Sequence, residues 1–300
     1  MPLQNSREIG LQRVVGERSQ HADDVLAVEE PLEIRLGYWR DGKREQRSLS
    51  ITMRTPGDDF DLAAGFLFTE GIVQRPEQID GLRYCGIPAP DTGLRNVVRI
   101  DLAPDVVFDL KRIERHFYTT SSCGVCGKTS LEALEMAGCP APLSDRFRVP
   151  ACIVHRLPLA LRSAQECFDR TGGLHAAALF DAEGNLLRSR EDVGRHNALD
   201  KLIGSYLREG AVPLANRLLL VSGRASFELM QKALMAGIPI LAAVGAPSSL
   251  AVELAQRFNV TLLGFVREHR FNIYHGAERI ETANASETDG TTVLTGNVVR

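Results

Sequence analysis

The sequence has little cysteine, one tryptophan, almost no net charge and no long apolar run. Six cysteines in 300 residues are too few, and too scattered apart from one pair, for a disulfide framework. The C-x-x-C of Cys123 and Cys126 has no second ligand pair, and a structural zinc site needs four protein ligands. The formal net charge of −3 gives no basic field for nucleic acid or an anionic membrane. The longest apolar run, Ile238 to Val244, falls far short of the roughly 20 residues that span a bilayer. The first 24 residues are polar and lack an apolar leader core. These absences point to a cytoplasmic chain with reduced thiols, away from membranes and nucleic acid. What is present is ordinary for a globular protein: 44% hydrophobic and 24% charged residues, enough chain for one large or two modest domains.

The chain divides by rhythm. Residues 1–24 read as a flexible tail, 25–112 as a small α+β domain, 113–280 as an α/β domain, and 281–300 as a second tail. In the first domain Leu32, Ile34, Leu36 and Tyr38 alternate as a half-buried strand should, Asp41-Gly42 signals a hairpin, and Leu49, Ile51 and Met53 alternate after it. Asp58-Asp59 starts a helix with Phe60, Ala63, Ala64 and Leu67 on one face and Gly71 as its stop. Val98, Ile100 and Leu102 form another strand. In the second domain Leu159 to Phe168 reads as a helix stopped by Gly172-Gly173, and Leu174 to Phe180 as an apolar strand. After the turn at Asp181 to Asn185 come a short return strand, Leu186 to Ser189, and a helix over His196 to Leu207. Strand and helix then alternate: strands at 218–222, 238–244 and 260–266, helices at 226–236 and 249–258. Continuous apolar strands between helices imply a parallel sheet covered on both faces. No internal repeat is visible.

In such sheets ligands bind beyond the carboxyl ends of the strands. Three segments meet there: Ser222-Gly223-Arg224-Ala225-Ser226, Gly245-Ala246-Pro247-Ser248-Ser249, and Phe265-Val266-Arg267-Glu268-His269-Arg270. Two of them enter helix N-termini, whose free N–H groups attract phosphate, and Arg224, Arg267 and Arg270 offer bidentate partners. A phosphorylated ligand, such as a nucleotide-bearing cofactor, suits this pattern. So do ordinary turns that use Gly and Ser for geometry.

The most informative feature is Thr119-Thr120-Ser121-Ser122-Cys123-Gly124-Val125-Cys126-Gly127-Lys128. Small residues surround both sulfurs, and C-x-x-C spacing commonly lowers a thiol pKa, so a reactive, exposed thiol is expected. The clear apolar strand that precedes a thioredoxin-like pair is missing here. Gly127-Lys128-Thr129 fails as a phosphate loop because position 122 is Ser. His175 is not followed by the Glu of a zinc deaminase; position 177 is Ala and no C-x-x-C follows. Glu191-Asp192-Val193-Gly194-Arg195-His196-Asn197 is a dense polar run before a helix. It serves either as capping or as a constellation facing the crevice. His269 and His275 have no assigned task.

Five blocks together resemble the FdhD family, the formate dehydrogenase accessory sulfurtransferases. They are Ser121 to Gly127, Thr171 to Ala177, Glu191 to Lys201, Ser222 to Ser226 and Gly245 to Ser249, in the family's order. The resemblance implies a cytidine-deaminase-like mixed sheet covered by helices, without zinc ligands. It implies a sulfur carrier required for formate dehydrogenase activity. A cysteine desulfurase would load Cys123 as a persulfide, with Cys126 as its partner. The sulfur would pass to the molybdenum cofactor that carries two pterin guanine dinucleotides, bound as a client before its insertion into the catalytic subunit of formate dehydrogenase. A homodimer is expected. The family's cofactor-binding segment falls on Phe265 to Arg270, supported by Ser222, Gly223 and Arg224. Glu268 and His269 stand where small residues are expected. A cofactor-binding chaperone without sulfur transfer and a C-x-x-C disulfide oxidoreductase are the alternatives.

Overall fold

The computed structural model describes residues 5–106 and 147–282. In β3 (Glu30–Arg40) the residues Leu32, Ile34, Leu36 and Tyr38 point inward, as their spacing predicts. Asp41 and Gly42, both at positive φ, turn the chain into β4 (Lys43–Arg54). The alternation expected of β4 breaks: Leu49 is buried, but Ile51 and Met53 are 69% and 46% exposed. A bulge between the pairs Ile34–Ser50 and Arg35–Ser48 inserts Leu49 as an extra residue, and one extra residue turns the following side chains to the other face. With β5 (Ile79–Tyr84) and β6 (Val97–Leu102), the sheet has the order β4-β3-β6-β5. Helix α1 (Asp59–Thr69) crosses its inner face. Asp58 precedes it in the left-handed region, at φ 53°, and its side chain caps nothing. Asp59 instead holds the buried Arg54 through two hydrogen bonds of 2.9 and 3.0 Å.

After β7 (Val149–Pro150) comes α2 (Ala151–Ser163), which contains Pro158 in its interior. The single helix expected at 159–168 is therefore two. Buried Ile153, Val154, Leu157 and Leu161 continue one apolar face through the proline. A break at 164–165 precedes α3 (Glu166–Thr171), which Gly172 ends in the left-handed conformation, φ 66°. The remaining elements are β8 (His175–Phe180), β9 (Leu186–Asp192), α4 (Arg195–Arg208), β10 (Leu218–Val221), α5 (Phe227–Met235), β11 (Ile240–Ala243), α6 (Ser249–Arg257), β12 (Thr261–Arg267), β13 (Arg270–His275) and β14 (Ile280–Glu281). Six strands form one sheet in the order β13-β12-β11-β10-β8-β9. Only β10, β11 and β12 are mutually parallel, so the sheet is mixed.

Alternate strand residues feed two cores. Ala177, Leu179, Leu219, Val221, Leu241 and Ala243 join the cluster under α4, α5 and α6, which continues through α1 to the four-stranded sheet. Ala176, Ala178, Leu218, Leu220, Ile240 and Ala242 face α2. The residues 199, 202, 203 and 207 of α4, all leucine or isoleucine, are fully buried, as their period predicts. The crossing of α1 and α4 is close because it is made by glycines. A Cβ on Gly65 would stand 1.9 Å from Asp200 O, and one on Gly204 1.9 Å from Asp61 O.

Residues 6–27, of which 6–24 read from the sequence as part of a tail, form the hairpin β1 (Ser6–Val15) and β2 (Arg18–Ala27). Its side chains are largely exposed, including Val14 and Val15 at 65% each. It has no buried alternation to betray it, and it reaches the body at its base. There the Val28 N–H donates to Asn5 O, and the Cys167 thiol approaches the same oxygen.

Candidate functional site

The three segments predicted to meet do meet, held by the main chain. Gly245 N–H donates to Gly223 O at 2.8 Å, Ala225 N–H to Ala246 O at 3.1 Å, Ser248 N–H to Ala225 O at 2.9 Å, and Phe265 N–H to Gly245 O at 3.0 Å. The spacing that separates Leu218 from Ile240 in the strands also separates Ala225 from Pro247 in the loops. The parallel register thus runs unbroken from β10 and β11 into the loops that follow. This correspondence is a local repeat that the sequence does not display, because in the loops only Gly223/Gly245 and Ser226/Ser248 share residue type. Ser226 and Ser248 each cap the helix they precede, accepting from Leu229 N–H and Ala251 N–H. Gly245 allows the close approach: a Cβ there would lie 2.9 Å from Gly223 O.

The polar run 191–201 divides between the two roles open to it. Glu191 accepts from the N–H groups of Cys167 and Phe168, capping α3. Asp192, fully buried, pairs with Lys201 at 2.7 Å and accepts from Thr55 N–H, Gly194 N–H and the Asn197 amide. These residues brace the junction of β9, α4 and the segment before α1. Arg195 and His196 go the other way. Arg195 Nε is buried without a hydrogen-bond partner. Ideal Cβ placement on Gly223 would put it 4.0 Å from Arg195 Cδ and 3.4 Å from His175 Nδ1, so all three border one space. His196 Nε2 lies 3.5 Å from Ser226 Oγ.

The surroundings of both imidazoles favour the neutral form. Burial lowers the pKa of His175, and the nearby Arg195 guanidinium adds to the effect. His196 is pushed down to about 4, first by burial and then by Arg195 and Lys232. Glu228 Oε2 at 3.9 Å therefore approaches a neutral ring rather than an imidazolium. The guanidinium of Arg195, lacking a partner at Nε, supplies fixed positive charge beside Gly223.

The other expected residues have distinct positions. Ser222 closes the end of β10 against β8, its Oγ accepting from Ala176 N–H at 2.9 Å. Arg224 is exposed at the rim. Phe265 is 38% exposed and holds φ 54°, an outlier conformation for a bulky side chain. Val266 is fully buried in the core facing α2, leaving only its backbone to the loop. One guanidinium nitrogen of Arg267 is spent on carbonyls, at 2.7 Å from Val244 O and 2.8 Å from Val266 O. It ties the end of β12 to the end of β11. Glu268 and His269 are the two residues between the paired Arg267 and Arg270, and neither takes a positive φ. Their size is therefore compatible with the turn. His155 Nδ1, 3.1 Å from Arg267 O, braces this hairpin from α2, and its ring packs on Phe271. Nothing in the sequence pattern singled out that contact. Cys123 and Cys126 lie outside the described residues. Among the described residues Cys85, Cys152 and Cys167 are free thiols, and no helix is long and apolar enough to cross a membrane.

A mixed α/β body with a loop-built crevice at the carboxyl ends of three parallel strands defines the class of protein. The particular family follows from comparison with known proteins. The pattern of the FdhD/NarQ family matches residues 27–281, and the chain belongs to that family. It is 53% identical over 258 residues to a protein named sulfur carrier protein FdhD from Mycolicibacterium paratuberculosis, covering 86% of this chain and 92% of that one. Its identity to the protein of the same name from Streptomyces avermitilis is 54%, over 86% and 89% of the two chains. A solved structure described as a formate dehydrogenase accessory protein from Desulfotalea psychrophila superposes with a TM-score of 0.69. It is 27% identical and covers 92% of this chain and 99% of its own. The mixed, helix-covered sheet expected from the resemblance is thus the fold of a family relative. The hairpin β1–β2 lies almost wholly outside the family match.

Proposed function

We propose that this protein is a cytoplasmic sulfur carrier for formate dehydrogenase. Cys123 accepts sulfur from a cysteine desulfurase and delivers it to the molybdenum cofactor bearing two guanine dinucleotides, before that cofactor enters the enzyme. The relatives' shared name supports the sulfur role. The observation that carries the cofactor role is the set of three loops locked together by main-chain hydrogen bonds, with the unpartnered Arg195 Nε beside the Gly223 loop. A buried donor without a partner is costly unless a ligand satisfies it, and a phosphate oxygen suits a guanidinium. The rim adds Arg224 for charge and the exposed Phe265 ring as a flat surface for a base.

The chemistry is thiol exchange. The Cys123 thiolate attacks the terminal sulfur of the donor's persulfide, the S–S bond breaks, and the donor leaves as a thiolate while Cys123 becomes a persulfide. On delivery, Cys126 attacks the inner sulfur. A Cys123–Cys126 disulfide forms and the terminal sulfur departs in reduced form as the client's sulfur. The test is mass spectrometry after incubation with a cysteine desulfurase and cysteine. One added sulfur is expected on the segment containing Cys123, and Cys123→Ala should abolish it. Full maturation of formate dehydrogenase by Cys123→Ala, with loss of maturation in Arg195→Ala, would instead identify a cofactor chaperone.

A further inference from the structure

The hairpin β1–β2 is a sheet of its own, and no other described strand joins it. Its residues pair in unbroken antiparallel register from Ser6–Ala27 to Val15–Arg18, a ladder roughly 30 Å long. It meets the body at its base. There the Asn5 carbonyl holds Val28 N–H, β2 passes α3, and Ala27 Cβ lies 3.7 Å from an ideal Cβ on Gly173. A lone two-stranded hairpin is marginal in water; it needs further strands and a covered apolar face. This hairpin has such a face. Register puts Ile9, Leu11 and Val15 of β1 on the same side as Ala22 and Leu26 of β2, and Val15 and Leu26 are 65% and 44% exposed.

The free edge of β2 has a direction. Arg18 stands at its start and Asp23 and Asp24 toward its end, all three exposed. Glu17 lies in the turn, outside the ladder. An antiparallel strand of the same sequence would set its aspartates against Arg18 and its arginine against Asp23 and Asp24. The edge of β1 has no such gradient, because Arg7 and Glu8 offset each other at its start.

We propose that β2 pairs antiparallel with β2 of a second copy of this chain, building one four-stranded sheet, β1-β2-β2-β1, across the two molecules. The pairing satisfies the outward backbone groups of the edge, joins two small apolar faces into one, and opposes unlike charges at both ends of the shared ladder. The charge gradient is what selects a copy of the same chain, since that copy carries the gradient reversed by symmetry. The hairpin lies almost wholly outside residues 27–281, so the pairing draws neither on the family pattern nor on the sulfur relay.

Sedimentation velocity of the full-length protein over a concentration series tests this. The wild type should dimerise, and β2 amides should exchange more slowly with solvent as concentration rises. Arg18→Asp should weaken the dimer by about tenfold or more, because symmetry turns two unlike contacts into two like ones. Asp23→Arg/Asp24→Arg should weaken it to a similar degree. All three side chains are exposed, so the circular dichroism of either variant should match wild type. An equimolar mixture of the two variants should recover a heterodimer of near wild-type affinity, since each supplies the charge that the other lacks. A monomer at every concentration overturns the proposal. A dimer that Arg18→Asp leaves unchanged also overturns it, by placing the second copy elsewhere, and so does weakening without recovery in the mixture. Sulfur loading on the Cys123 segment is measured separately, so the relay and this pairing stand or fall apart.

Discussion

The two sheets meet the same burial problem differently. The six-stranded sheet is covered on both faces, by α4, α5 and α6 on one side and α2 on the other. Its chemistry is therefore displaced to the strand ends, where loops leave the sheet and backbone groups come free. Among the described residues the four-stranded sheet packs only its inner face, against α1, and presents charge and apolar groups outward on the other. A covered sheet makes a crevice and a half-covered sheet makes a surface. The helix layer of α1 and α4 lies between them and serves both.

That shared layer is where the comparison can be broken hardest. Asp192→Ala should cost about 3–5 kcal/mol, because it leaves the ammonium of Lys201 buried and uncompensated; urea unfolding of the variant measures it. Gly204→Ala should cost about 1–3 kcal/mol, because its Cβ would meet the backbone of α1 and force the helices apart. If the layer serves both sheets, that variant still unfolds in one transition by calorimetry; two transitions would show that the sheets fold separately. The smallest expected effect is on pH dependence. His196 is near 4 in the folded protein and about 6.5 when unfolded. The unfolded chain therefore binds the proton first as pH falls. Stability from the neutral ring is complete above about 6.5 and is lost as pH drops through about 4. His196→Gln should flatten the stability curve across that window, as read from urea midpoints. A curve identical to wild type would mean that the ring titrates freely.

Where the pattern was periodic, the fold was legible. The inward face of β3, the α4 stripe and the β10 to β12 alternation follow from hydrophobic spacing alone. Where one residue reset the phase, it was not: the bulge at Leu49 sent Ile51 and Met53 outward, and Pro158 obscured a helix that runs through it. The hairpin at 6–27 was unreadable because its side chains are largely exposed. In the crevice, residue types were visible but their tasks were not. Asp192 and Arg195 sit three residues apart in one polar run, yet one is a brace and the other leaves its Nε without a partner beside Gly223.

The sequence by itself determined the order of the periodic elements, the family blocks and the thiol pair, because periodicity and short motifs are local properties of a chain. Only the tertiary structure decided which polar groups were left without partners. Whether Arg195 Nε finds an acceptor depends on atoms brought together from strands far apart in sequence.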